Sequence, residues 1–386
     1  MKRKLVSRLS LLFAVGMVGC TDKTSGTTTG TTGTNSTPNA ASANPGQKKG
    51  VLNLLAGCEE PYRNAVADAF ATKYNCKVNR IRKSSGEIQA QIENEKGNPS
   101  CDVIFGGTTD PYNALKSEGL LEKYKSNNDA NIEGEHFKDK DNYWYGIYKG
   151  ILGFRWNKDK LSELHLTAPE TWDDLLKPEY SKYITWSHPE TAGTAKLVIN
   201  TIVQKKANGK KTTYKDEDGE DAQCYDDTAA REFFKKLDEN TAQYTKSGSG
   251  ASKMVGTGEC VIGIGFLHDV IYQIVDKGYK TIGRCAPKDG TSFEVGATAI
   301  AKGAKNRDLA KKFIDFATSK ECVELGATHG SYQFLVLKDA KQPQAAIDAG
   351  IDKVTVMNYD FEDAKVNTGH YVSDWKRAVN VAAPEK

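Results

Sequence analysis

Short apolar runs alternate with helical patterns over most of the chain. Val51–Ala56 has the apolar character of a strand, residues 61–74 place Ala and aromatic residues on one helical face, and Lys77–Arg82 indicates a second strand. The alternation continues with a strand over 101–105 and a helix over 112–118. Strands that are separated by helices usually pair in parallel, so this pattern predicts an α/β fold.

The stretch 261–269 ends an apolar strand on two ionisable residues, His268 and Asp269, and a helical pattern follows over 270–275. Ligands of open α/β sheets bind beyond the carboxyl ends of strands, so both side chains are expected at a crevice. Asp269 also falls at a helix start, where free N–H groups and the helix dipole favour an anion. The alternative is that Asp269 only caps the helix while His268 packs at a surface.

Small polar residues and glycines occur at several other predicted helix starts. They offer hydroxyls and free N–H groups to an anion, although helix capping alone explains each of them equally well. The candidate ligand-binding residues of this kind are Ser84, Ser85, Gly86, Gly107, Thr108, Thr109, Thr191, Gly193, Thr194 and Ser249. A further candidate is Glu294, whose carboxylate lies in an apolar stretch and therefore needs either a salt bridge or a ligand hydroxyl.

The N-terminus indicates export. Residues 1–19 combine a basic start, an apolar centre and small residues before Cys20, which predicts a signal peptide that is too short to span a membrane permanently. The end of this segment resembles a bacterial lipobox, which implies that Cys20 is lipidated; an ordinary secretory signal is the alternative. Residues 20–49 are then the lipidated Cys and a disordered tether, because 21–47 contain no aromatic or large aliphatic residue.

Charge and motifs exclude several functional classes. The formal charge of +3 includes the four positive residues of the signal, which leaves −1 for the exported part and gives no indication of nucleic-acid binding. The chain contains no Gly-x-Ser-x-Gly, no His-Glu-x-x-His and no Walker loop, so we expect no enzyme and rank a secreted hydrolase last. Seven cysteines follow Cys20, and their pairing stays open. Residues 208–227 form a charged insertion with no apolar face, predicted to be a surface loop or hairpin.

Nine short motifs occur in an order and spacing that resemble a group of ABC-importer solute-binding proteins, the group that holds ferric-iron binders together with sugar-phosphate and phosphonate binders. The motifs are Ser84-Ser85-Gly86-Glu87, Asn98-Pro99, Asp102-Val103-Ile104-Phe105-Gly106-Gly107, Gly119-Leu120-Leu121-Glu122, Trp144-Tyr145-Gly146, Pro169 with Thr171-Trp172-Asp173-Asp174-Leu175-Leu176, Thr191-Ala192-Gly193-Thr194, Phe266-Leu267-His268-Asp269 and Glu294-Val295-Gly296-Ala297.

The resemblance implies the α/β, two-lobed "Venus flytrap" fold of type II periplasmic binding proteins. Such a fold has two mixed sheets flanked by helices and a two-strand hinge, which we expect near 149–154 and 293–301. Lobe one would comprise residues 50–149 plus 296–386, and lobe two residues 150–295.

The resemblance also implies a function. We expect a periplasmic monomer, lipid-anchored to the membrane, that binds a small anionic solute between its lobes, delivers it to ABC permease subunits and needs no cofactor. For a sugar phosphate, the resemblance assigns His268, Asp269 and Glu294 to the sugar. The alternative solute is ferric iron (Fe3+) as transported ligand, held by His268, Asp269, Tyr272 and Glu294. Iron ranks second because iron binders of this group use adjacent tyrosines, and the chain has no Tyr-Tyr pair.

Overall fold

The computed structural model describes residues 50–132, 134, 136–216 and 218–384. The predicted signal peptide, the lipidated Cys20 and the tether lie outside these residues. The strands of the described part are β1 (Val51–Ala56), β2 (Lys77–Arg82), β3 (Val103–Phe105), β4 (Leu121–Glu122), β5 (Trp144–Asn157), β6 (Ile184–Ser187), β7 (Lys211–Lys215), β8 (Asp221–Tyr225), β9 (Thr241–Thr245), β10 (Ile262–Phe266), β11 (Ile282–Cys285), β12 (Phe293–Ala301) and β13 (Phe334–Leu335).

Helices connect most of these strands. They are α1 (Glu60–Tyr74), α2 (Ser85–Glu95), α3 (Thr109–Ser117), α4 (Lys158–Glu163), α5 (Gly193–Ala207), α6 (Thr228–Asn240), α7 (Gly250–Thr257), α8 (Leu267–Val275), α9 (Arg307–Ala317), α10 (Lys320–Val323), α11 (Leu325–Thr328), α12 (Gln344–Asp348) and α13 (Phe361–Val379). In the described residues, no helix combines the length and the apolar character that crossing a bilayer would require.

The strands form two mixed sheets joined in the order β2-β1-β3-β12-β5-β10-β6-β9. In the first lobe, β1 pairs in parallel with both β2 and β3, as the alternation of strands and helices predicted. In the second lobe, β6 pairs in parallel with β9 and β10. Antiparallel pairing of β12 with β3, and of β5 with β10, makes each sheet mixed. The predicted two-lobed α/β fold is confirmed.

Two long strands connect the lobes. β5 extends over 14 residues and pairs with β12 along its first part and with β10 and β11 along its second. The pairing of β12 with β5 runs from Phe293 opposite Ile151 to Ala299 opposite Trp144. β5 and β12 are therefore the two strands of the predicted hinge.

Each lobe has its own apolar core. In the first lobe, Tyr62 and Phe70 of α1 pack with Phe105 at the end of β3 and with Phe313 of α9. Pro61 at the start of α1 fits because the first turn of a helix needs no N–H donor there. In the second lobe, Trp186 of β6 packs against Phe234 of α6.

The C-terminal helix packs on the second core, although the sequence assigned residues 296–386 to lobe one. Trp375 and Tyr371 of α13 are buried in the cluster that contains Trp186. We therefore place α13 in lobe two; the other lobe boundaries remain a proposal.

The charged insertion 208–227 forms the hairpin β7–β8, one of the two forms predicted. The prediction that it has no apolar face was wrong. Cys224 is buried in the second core, and the ring of Tyr214 stacks on His370 of α13 with centroids 3.7 Å apart. Alternation along β7 and β8 places these side chains on one face of the hairpin, where α13 covers them.

Candidate functional site

Six helices of the described chain begin at one cleft between the lobes, which contains about 510 Å³ of atom-free space and is partly open to solvent. The residues at or just before their starts line it: Glu59 (α1), Ser84 and Ser85 (α2), Gly107 and Thr108 (α3), Ala192, Gly193 and Thr194 (α5), Ser249 (α7) and Phe266, His268 and Asp269 (α8). Each helix start presents N–H groups without an intrahelical acceptor and the positive end of a dipole. Their convergence makes the cleft suited to an anion.

The first lobe contributes hydroxyls that remain able to donate. The Gly107 N–H donates to the Tyr148 hydroxyl at 3.1 Å, and the Thr108 N–H donates to Ser85 Oγ at 3.2 Å. Each hydroxyl oxygen accepts one bond and keeps its own hydrogen for a further acceptor. Ser84 is already engaged, since its Oγ and its N–H both donate to Glu87, at 2.8 and 2.9 Å.

At the start of α5, the second lobe lies in close contact with the first lobe. Gly193 lies so near Thr108 of the first lobe that a side-chain methyl group would overlap the Thr108 hydroxyl. Thr108 Oγ1 is buried and has no hydrogen-bond partner. Close by, Lys246 Nζ of the second lobe lies 2.8 Å from Glu87 Oε1 of the first. The two lobes thus contact each other across the cleft.

His268, Asp269 and Glu294 lie together on the hinge side of the cleft. All three are buried, and His268 Nε2 lies 3.7 Å from Asp269 Oδ1. His268 Nδ1 and Glu294 Oε2 have no hydrogen-bond partner, which is costly for buried polar atoms. These two atoms are available to a bound molecule.

Burial dominates the electrostatics of this group. It lowers the pKa of His268 to about 3, with a further contribution from the Arg155 guanidinium, so this imidazole is neutral at physiological pH. Burial raises the pKa of Asp269 to about 6 against the opposing effect of Arg155 and Arg82. Burial also raises the pKa of Glu294, assisted by the negative charge of Asp269.

Arg155 holds in place the strand end that precedes His268 and Asp269. It is fully buried on β5, donates from Nη1 to Ser252 Oγ at 2.7 Å and from Nη2 to the Phe266 carbonyl at 3.1 Å. The close approach of its guanidinium to Gly265 leaves no room there for a larger residue. Arg155 therefore fixes the end of β10, from which His268 and Asp269 follow.

Ten of the twenty residues that line the cleft were not predicted to bind a ligand, and they include Glu59, Arg82, Tyr148 and Gln333. Burial and the neighbouring Asp269 raise the pKa of Glu59 to about 7. Arg82 is the only Lys or Arg that lines the cleft among the described residues. Glu59 follows the end of β1, so the strand-end rule that selected His268 also applied to it.

Ten of the thirteen predicted ligand-binding residues line the cleft, and three do not. Gly86 packs against the backbone carbonyls of Glu190 and Thr191, while Thr191 Oγ1 donates to the His188 carbonyl at 3.2 Å. Thr109 lines a neighbouring groove. In each case the helix start was located correctly, but the residue faces away from the cleft.

Three of the four alternative iron ligands, His268, Asp269 and Glu294, lie together, but Tyr272 does not line the cleft with them. Tyr272 lines a neighbouring cavity, which shares Asp269 with the cleft but does not include His268 or Glu294. Across the part of the chain that the structure describes, no group of three or more His, Cys, Asp or Glu residues could hold a metal ion.

Comparisons with known proteins agree with this architecture. The family model for bacterial extracellular solute-binding proteins matches residues 98–356. An uncharacterized protein of Haemophilus influenzae is 36% identical over 341 residues, covering 86% of this chain and 92% of that protein.

Two solved structures bear on the fold. The periplasmic binding protein AfuA from Actinobacillus pleuropneumoniae, with exogenous fructose-6-phosphate bound, has 34% identity and a TM-score of 0.77 over 87% of this chain and all of that one. The ferric binding protein from Campylobacter jejuni has 21% identity and a TM-score of 0.67, covering 85% of this chain and 99% of that one, and so supports the fold alone.

Proposed function

This chain belongs to the family of bacterial extracellular solute-binding proteins, and we propose that it captures a sugar phosphate in the cleft between its lobes and delivers it to an ABC permease. AfuA, which was solved with fructose-6-phosphate bound, supports this choice of solute. The observation that carries the proposal is the convergence of six helix starts on a cleft whose far side holds neutral or protonatable acceptors.

The helix starts are suited to the phosphate. A phosphate dianion accepts from N–H and O–H groups, and the hydroxyls of Ser85 and Tyr148 each retain a hydrogen to donate. Thr108 Oγ1, without a partner in the protein, supplies another donor. Gly193 and Thr194 add N–H groups of the first turn of α5. Arg82 contributes a positive charge at the edge of the cleft.

The hinge side is suited to sugar hydroxyls. Carboxylates accept hydrogen bonds from O–H groups, and Glu59, Asp269 and Glu294 are the carboxyl groups that line the cleft. A neutral imidazole both accepts and donates, which fits the unpartnered Nδ1 of His268. A second phosphate would meet these carboxylates unfavourably, so the far end of the solute is uncharged.

Ferric iron fits this arrangement less well. Six positive helix ends oppose a bare trivalent cation, and Tyr272 faces another cavity. Iron stays an alternative only as a complex with an anion, and the unfolding experiment below distinguishes such a complex from a sugar phosphate.

We propose that Cys20 carries the lipid, that residues 20–49 tether the protein to the membrane and that the permease subunits recognise the closed lobes. The permease, a separate polypeptide, would supply the energy for transport.

Thermal unfolding of ligand-stripped protein tests the proposal. The ligands are hexose 6-phosphates, the free hexoses, 2-aminoethylphosphonate and ferric citrate. A ligand at 100 times its Kd stabilises the folded state by about 2.7 kcal/mol, which raises Tm measurably. We expect a shift with a hexose phosphate and none with the free hexose. A shift with ferric citrate alone would replace the sugar-phosphate proposal by iron.

A further inference from the structure

A second, larger space adjoins the cleft, and we call it the side groove. It lies between the start of α3, residues 136–140, the hinge residue Phe293 and residues 359–365 at the start of α13, and it encloses about 1800 Å³ of atom-free space that is open to solvent. No part of the function proposed above uses it. The inference drawn from it rests on that proposed function.

The side groove borders the cleft. Thr108 and Glu294 line both spaces. Thr108 Oγ1 and Glu294 Oε2, both buried, have no partner in the protein. Two unused polar atoms therefore lie in the residues that separate the cleft from the groove.

The walls of the side groove are aromatic. The ring of Phe361 has its centroid 4.4 Å from that of His136, 4.8 Å from that of Tyr359 and 5.2 Å from that of Phe293. Trp144 and Asn113 line the same groove and are joined by a hydrogen bond of 3.1 Å. Aromatic faces next to polar groups suit a sugar ring, which has apolar C–H faces and a polar edge.

The charges of the groove argue against a second anion. Three lysines (Lys138, Lys140 and Lys365) and four carboxyl groups (Asp110, Asp139, Glu294 and Glu362) line the groove, so carboxyl groups outnumber cations. Lys138 lies 3.1 Å from Asp129, and Lys365 lies 3.2 Å from Glu362. The carboxyl groups of Asp110 and Glu294 face the same space. An uncharged, hydroxyl-rich group is the occupant that these walls accommodate without repulsion.

We propose that the solute is a phosphorylated disaccharide whose phosphate lies at the helix starts, whose first ring contacts His268, Asp269 and Glu294, and whose second ring occupies the side groove. The second ring would contact the aromatic cluster around Phe361. Asp110 and Glu294 would accept hydrogen bonds from its hydroxyls.

Isothermal titration with the full-length protein tests this inference. The probes are glucose 6-phosphate, trehalose 6-phosphate, sucrose 6-phosphate and maltose 6'-phosphate. We expect at least one disaccharide phosphate to bind at least about tenfold more tightly than glucose 6-phosphate. Binding of glucose 6-phosphate with no binding of any disaccharide phosphate would overturn the inference and leave the proposed function intact. Failure of all four probes would overturn both.

Variants at Lys365, an exposed residue of the groove wall, locate the second ring. Lys365→Trp fills the groove, whereas Lys365→Ala removes the same charge and leaves the groove open. We expect Lys365→Trp to lower the affinity for the disaccharide phosphate at least about tenfold. Lys365→Ala should bind the disaccharide phosphate within about twofold of the unsubstituted protein. Both variants should bind glucose 6-phosphate within about twofold of the unsubstituted protein. Phe361→Leu, which keeps an apolar residue of similar volume, should selectively weaken the disaccharide phosphate. Equal weakening of both ligands by Lys365→Trp would refute the assignment.

Discussion

Asp269 is expected to reduce the stability of the empty protein in order to bind its solute. Its pKa rises from 3.8 to about 6 because it is buried, so the folded protein holds a proton that the unfolded chain releases. A rise of about two units, at about 1.4 kcal/mol per unit, makes ionised Asp269 cost about 3 kcal/mol. The sign follows from linkage: stability is highest below pH 3.8, falls as the pH rises towards 6 and is constant above it.

Asp269→Asn replaces the ionisable group by a neutral one of the same shape. We expect its free energy of unfolding, measured by urea denaturation without ligand, to exceed that of the original protein by up to about 3 kcal/mol at pH 8 and by little at pH 4. Affinity for the sugar phosphate should fall at least about tenfold, because a charged acceptor is lost.

Asp227→Asn is the matched control. Burial likewise raises the pKa of Asp227 to about 6, but this residue lies beside Arg231 and Asp374, away from the cleft. We expect a pH-dependent gain in stability of the same sign but smaller size, because the substitution also removes the ion pair with Arg231, and no change in affinity. A gain for Asp269→Asn that is equal at pH 4 and pH 8, or a loss at pH 8, would refute the electrostatic reasoning.

Three further predictions concern the lobe contacts and the histidine. Gly193→Ala should lower solute affinity at least about tenfold in isothermal titration, because its methyl group meets Thr108 and blocks closure; unchanged affinity would show that this contact is not needed. In a double-mutant cycle, Glu87→Ala and Lys246→Ala should show a coupling in affinity below about 1 kcal/mol that shrinks with salt, because both side chains are about one-third exposed. The His268 ring, with its pKa lowered to about 3, should show no titration by ¹⁵N NMR between pH 5 and 8, and a midpoint near 6.5 would contradict its burial.

Strand ends could be located from the sequence, and much of the site followed from them. β1 and β2 match the predicted ranges. Because the carboxyl ends of parallel strands meet at one edge, His268 and Asp269 could be placed at a crevice from the sequence alone.

The direction in which a side chain points could not be predicted. Thr108 and Thr109 are neighbours at one helix start, yet Thr108 faces the cleft and Thr109 only the side groove, because successive helical residues point about 100° apart. Tyr148 and Gln333 were missed for a related reason. They reach the cleft from β5 and from the segment before β13, and no local motif distinguishes such positions from core packing.

The first core has a consequence for how the protein is made. Its apolar cluster joins Leu52 and Leu54 of β1 to Phe313 of α9 and Leu337, residues separated by most of the chain. A chain that emerges from its N-terminus cannot close this core until the last of these residues has appeared, and such distant contacts form slowly. A chain that must cross a membrane unfolded benefits from that delay. The topology that places two hinge strands beside the cleft would therefore also keep the newly made chain unfolded until its translocation across the membrane is complete.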